Sequence, residues 1–111
     1  MCSGSGNTHC LWIPRRGPGG RTNKQPASAH THTTAGLAVA CCEQGLENSN
    51  FYSAQLEGMV AYHDFEGITV RHDEGPRLVA NLGARRLMIL RNHGLLAVGA
   101  TIAQTFARLW T

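Results

Sequence analysis

The sequence predicts one small α/β domain, on three observations. From Ala27 onward, short apolar runs bounded by turn residues alternate with stretches of helical period, the pattern of a layered α/β fold. The chain has 111 residues and 42% hydrophobic content, enough for one core and not two. Residues 1–26 differ from the rest: they hold five of the thirteen glycines and three of the four prolines, with no helical or alternating apolar pattern. The expected organisation is therefore a disordered tail over 1–26 and a folded domain over 27–111.

Within the domain, Ala27 to His32 reads as a short strand. Thr33 or Thr34 can cap the helix that follows, in which Ala35, Leu37, Ala38, Val39, Ala40 and Cys41 lead on to Gln44 and Gly45 stops it. Phe51 to Leu56 is a short helix or turn, and Gly58 to His63 is short and apolar enough for a buried strand. Asp64, Glu66 and Gly67 supply its turn. A second helix spans Glu74 to Leu82, with Pro76 tolerated in its first turn and Leu78, Val79 and Leu82 on one face. Leu87 to Leu90 forms another buried strand, Asn92, His93 and Gly94 turn the chain, and Leu95 to Val98 returns as its hairpin partner. Thr101 caps a last helix through Ile102, Phe106 and Leu109, which is still running at Thr111.

The formal charge of +3 is a property of the tail, not of the domain. Arg15, Arg16, Arg21 and Lys24 face no acid before Gln25, whereas the six arginines of 25–111 face seven acids, a net −1. A nucleic-acid surface is thus not expected. Cys2, Cys10, Cys41 and Cys42 show no CxxC spacing and suit reduced thiols in the cytoplasm. Ser3 to Thr8 interrupts any signal-peptide core, and no run approaches the length that crosses a membrane. The adjacent Cys41 and Cys42, among alanines, are expected to pack in the core. Removing Met1–Lys24 is expected to leave the melting temperature nearly unchanged. Its apolar residues Leu11, Trp12 and Ile13 would each contribute about 1.5–3 kcal/mol if fully buried, against about 1–2 kcal/mol for every residue ordered. A large fall in melting temperature after the deletion would make the tail part of the fold.

Chemistry concentrates in the histidines. His30 and His32 stand two apart on an expected strand, and a period of two puts both imidazoles on one face. His93 lies beside Gly94 at the end of another strand, where glycine permits a tight turn that presents the ring. Three imidazoles with positions left open is a ligand set for a catalytic divalent ion, although an HxH pair is also common as an exposed or hydrogen-bonded strand feature. His63 has the plainer reading of a strand-end turn residue, His72 that of a solvated one, and Arg85–Arg86 that of a solvent-facing strand entrance.

Four stretches carry a resemblance: Ala29-His-Thr-His-Thr-Thr-Ala-Gly36, Glu57-Gly-Met-Val-Ala-Tyr-His-Asp-Phe-Glu-Gly67, Asp73-Glu-Gly-Pro-Arg-Leu-Val79, and Ile89-Leu-Arg-Asn-His-Gly-Leu95 with Val98-Gly99. In this order they resemble the class II aldolase/adducin family from Ala29 to Thr111. The resemblance implies a three-layer α/β/α class II aldolase-like domain whose N-terminal half is missing. It implies zinc or a related divalent ion on His30, His32 and His93, a small sugar or sugar phosphate as the ligand of intact relatives, and a possible homo-oligomer. On the charge distribution and hydropathy above, no membrane and no nucleic acid are expected as partners.

The same resemblance shows what is absent. In the family's aldolases a glutamate ahead of the HxH pair moves the proton, and loops further upstream grip the substrate phosphate; here Met1 to Ala29 contains no aspartate or glutamate. The expectation is a lyase-derived, metal-binding domain that is inactive as it stands, with both ends of the chain looking cut. Two alternatives stay open: a non-catalytic module like the adducins, which associate with actin and spectrin, and a gene fragment without function.

Overall fold

The computed structural model describes residues 8–9, 26–68 and 74–110. Nine elements follow in order: β1 (Thr8–His9), β2 (Ala27–Thr31), α1 (Thr34–Cys41), α2 (Phe51–Gln55), β3 (Val60–His63), α3 (Glu74–Leu82), β4 (Leu87–Leu90), β5 (Gly94–Gly99) and α4 (Ile102–Trp110). The strands form one mixed sheet in the order β1-β2-β5-β4-β3. Only β3 and β4 run parallel, because α3 carries the chain between them; β4 and β5 form a tight antiparallel hairpin, and β2 lies antiparallel along β5. The α/β class read from the sequence is the class of the structure.

Strand periodicity sorts the apolar residues onto two faces. Ala61, Met88, Leu90, Leu96 and Val98 pack on one face against Leu78 and Leu82 of α3, with Val79 at the margin. Ile89 and Leu95, paired across the hairpin, point the other way towards α1, whose Gly36 backbone approaches the Leu95 side chain more closely than any β-carbon would permit. On that face a cavity of about 260 Å³ opens between α1 and the end of α4, lined among others by Val39, Leu46, Ile89, Leu95 and Leu109. Helices thus lie on both faces of the sheet.

The last helix docks through its polar side. Thr105 is fully buried, and its hydroxyl lies 2.9 Å from the Thr101 carbonyl oxygen and 3.2 Å from that of Ala27. The opposite stripe, Ile102, Phe106 and Trp110, stands out in solvent, with the Phe106 and Trp110 rings stacked. Among the described residues no helix is long and apolar enough to cross a membrane.

Four local expectations need correction or completion. The first helix ends at Cys41 rather than Gln44: Cys42 is an extended cap whose N–H bonds back to the Val39 carbonyl, and Arg91 Nη1 donates to the Cys42 and Glu43 carbonyls at 2.8 Å each. A distant side chain thus claims the carbonyls that one more helical turn would leave exposed. Cys41 and Cys42 are exposed, not packed in the core, because Gly36 and Ala40, four apart, are the positions α1 buries. Thr33 is the cap of α1, its hydroxyl accepting from Gly36 N–H at 3.2 Å. The tail expected over 1–26 lies almost wholly outside the described residues, as do His72 and the apolar cluster at Leu11; within it the structure describes β1, set antiparallel on the edge of β2 with Thr8 opposite Thr31.

Candidate metal centre

The three histidines singled out by the sequence come together. His30 sits near the end of β2 and is buried, and His32 follows just past the strand. His93 occupies the hairpin turn. The ring centroids lie 4.4 Å (His30 to His32), 4.8 Å (His30 to His93) and 4.9 Å (His32 to His93) apart, with one nitrogen of each ring within 4.8 Å of the others.

Hydrogen bonds decide which nitrogens face inward. His30 Nδ1 lies 2.9 Å from the Leu95 carbonyl oxygen, which can only accept, so Nδ1 carries the proton and Nε2 keeps its lone pair. That is the form in which an imidazole ligates a metal, oriented by a backbone acceptor behind it. His30 Nε2 is 2.6 Å from His32 Nε2, so His32 donates to His30. Burial pulls the His93 imidazole below the usual histidine value; His32 acts in the same sense, Glu74 opposes it and His63 adds to it. The neutral ring, the one able to ligate, is thereby favoured. The residues present therefore fit a divalent ion.

The turn that presents His93 is tied down on three sides. Arg91 N–H donates to the His63 carbonyl at the end of β3 (2.8 Å), Asn92 N–H to the Ala40 carbonyl in α1 (2.9 Å), and His93 N–H to the Leu90 carbonyl of β4 (3.0 Å). Asn92 takes a left-handed φ of 55°, tolerable for asparagine, and Gly94 one of 156°. The Arg91 guanidinium, besides holding the end of α1, lies 4.6 Å above the Tyr62 ring.

Sequence reasoning could not have found the Leu95, His63 and Ala40 carbonyls, since backbone acceptors have no residue signature. It also misjudged His63, which is not a simple turn residue. The side chain is 4% exposed at the end of β3, with Nδ1 2.7 Å from Asn81 Nδ2 of α3. Phe65 lies beside His93, ring centroids 6.5 Å apart.

Comparison with known proteins gives the family and the fold. The family described as "Class II Aldolase and Adducin N-terminal domain" matches residues 21–111. A Pseudomonas aeruginosa protein named for aldolase class 2 is 46% identical over 82 residues, which is 74% of this chain and 32% of that protein. Alpha-adducin of Rattus norvegicus is 42% identical over 78 residues, 69% of this chain and 10% of the adducin. Among solved structures, an aldolase II superfamily protein from Pseudomonas syringae superposes with a TM-score of 0.73 at 43% identity, over 79% of this chain and 35% of that one. The L-fuculose 1-phosphate aldolase of Glaciozyma antarctica gives 0.59 at 32% identity, over 74% and 30%. The chain spans about a third of the length of the bacterial proteins it matches.

Proposed function

Because the chain belongs to the class II aldolase and adducin N-terminal domain family, we propose that His30, His32 and His93 hold one divalent ion, zinc, in a lyase-derived site for a small sugar or sugar phosphate. One observation carries the reading: three imidazoles converge, and His30 is already fixed by the Leu95 carbonyl in the form that ligates. When bound, such an ion supplies Lewis acidity towards carbonyl and hydroxyl oxygens. The chain's own residues position it: β2 fixes His30, the anchored turn fixes His93, and Phe65 lies edge-to-face beside that ring. The sugar-phosphate class is supported by the name of the Glaciozyma relative. Association into oligomers is part of the proposal, and the exposed Ile102, Phe106 and Trp110 stripe is one apolar surface among the described residues that suits it.

The identity to alpha-adducin favours, as a second reading, a binding module without catalysis. Metal counting on purified chain separates the two. The metal site requires one equivalent of zinc that His32→Ala removes; a folded chain with a metal ratio near zero at neutral pH would leave only the binding module.

Zinc affinity is expected to fall as pH drops through and below about 6.5, where free imidazoles take up protons. The metal-free protein follows the same sign. His93 has a folded value below its unfolded one, so its share of stability is present above the unfolded value and is lost as pH falls through the lowered folded value. Melting temperatures of wild type and His93→Gln should therefore converge on acidification. Curves that stay parallel from neutral to acidic pH would contradict it.

A further inference from the structure

A second cluster of ligating side chains lies where β3 meets α3. His63 Nε2 is 3.6 Å from Glu66 Oε1 and 3.7 Å from Glu74 Oε1, and the ligand atoms of all three lie within 4.8 Å of one another. His63 is 4% exposed, and its Nε2 is buried with no hydrogen-bond partner among the described residues. A buried nitrogen aimed between two carboxylates and bonded to neither calls for a further group. We propose that this cluster is a second divalent-cation site, distinct from the three-histidine centre, with His63, Glu66 and Glu74 as its protein ligands.

The distances suit such an ion. Metal–ligand bonds of about 2.0–2.2 Å in a tetrahedron put neighbouring ligand atoms about 3.4 Å apart, so His63 Nε2 need approach each of the two carboxylate oxygens by only a few tenths of an ångström. One imidazole with two carboxylates is a borderline-to-hard donor set, suited to zinc, manganese or cobalt rather than to a thiolate-seeking metal. The charge sense is also right: the two carboxylates bring negative charge to His63, that of Glu66 being shared with Arg77. Glu74 stands in the first turn of α3, and Asn81, seven residues on in the same helix, reaches His63 Nδ1 from behind. Ligation requires the tautomer with the proton on Nδ1. Turning the Asn81 amide over presents its oxygen to accept that proton and leaves the heavy atoms where they are.

Arg77 opposes the ion. Its Nε donates to Glu66 Oε1 at 2.8 Å, and Nη2 pairs with Oε2. Each carboxylate oxygen has a second lone pair, so Oε1 can serve both guanidinium and cation, but the positive neighbour weakens binding. Arg77→Gln is accordingly expected to tighten the site.

The test is metal counting by mass spectrometry on the full chain, dialysed against free zinc at neutral pH. Two equivalents are expected in wild type and one in Glu74→Gln, whose half-buried helix-start position lets the chain fold, as far-ultraviolet circular dichroism would verify. The affinity of the lost ion should fall roughly 100-fold or more with its ligand. His32→Ala should also leave one equivalent, removing the other ion, and the double variant none. As an independent reading, the His63 Nε2 nitrogen resonance should move on zinc addition in His32→Ala. A Glu74→Gln variant that keeps every equivalent of wild type, or a His63 signal unmoved by zinc, overturns the second site. Loss of an ion in Glu74→Gln but none in His32→Ala overturns the three-histidine centre instead and leaves this one standing.

Discussion

Gly94→Ala is expected to damage the fold and the ion site together. The residue has φ of 156°, which L side chains rarely adopt, and a β-carbon there would overlap the Thr31 carbonyl oxygen and press on His32 Cδ2 (3.0 Å) and His30 Cε1 (3.2 Å). Backbone strain of this kind costs about 1–3 kcal/mol. The overlap adds to it, since Thr31 belongs to β2 and can withdraw only by breaking its pairing with Leu95. A total loss on the order of 3–5 kcal/mol, a large share of what a domain of this size possesses, is the expected result of a denaturant titration. Zinc should be lost as well, because relief of the overlap moves both histidines. A variant within about 0.5 kcal/mol of wild type, the ordinary range for a harmless substitution, with zinc content unchanged would refute this account.

The chain loaded with zinc is expected to show no measurable aldol cleavage of fuculose, rhamnulose or ribulose phosphates. Cleavage needs a proton taken from a hydroxyl and returned to a carbanion, and a positioned acid/base contributes about 10²- to 10⁴-fold. Ahead of His30 there is no acidic residue at all. Glu43 and Glu57 are exposed, and Glu66 is held by Arg77. Among the described residues Glu74 raises the His93 value, yet it is turned towards His63. Alignment of a bound phosphate is a further multiplicative loss. A coupled assay on the metal-loaded chain tests this. Turnover abolished by His93→Ala would overturn it, and Glu74 would be the first carboxylate to replace.

Much of this was legible from short-range pattern. Leu87–Leu90 and Leu95–Val98, two apolar runs about an Asn-His-Gly turn, could hardly be other than a hairpin, and the structure has β4 and β5 there. The two-residue spacing of His30 and His32 put both rings on one side. The place of His93 beside Gly94 at a strand end offered the third member, and the resemblance joined it to the pair. What escaped was non-local. The stop of α1 at Cys41 depends on Arg91, 49 positions from Cys42, and the exposure of the two cysteines on which side of α1 meets the sheet. Burial of His63 depends on Asn81 and α3 arriving over the end of β3. Sheet order, too, is set by pairings between segments far apart, as between Ala27 and Gly99.

The anchored turn would make binding of the proposed ion and folding one linked equilibrium. His93 is in place only when β3, α1 and β4 each supply a carbonyl to the turn, and it meets His30 only once β2 has paired with β5. An unfolded chain keeps these histidines apart along its contour and holds an ion poorly. A ligand that binds the folded state alone stabilises it by RT ln(1 + [L]/Kd), about 2.7 kcal/mol at a hundredfold excess over Kd. The free zinc level around the protein would then act as a thermodynamic control on how much of this short chain is folded at all, and a chelator would act on it as a denaturant does.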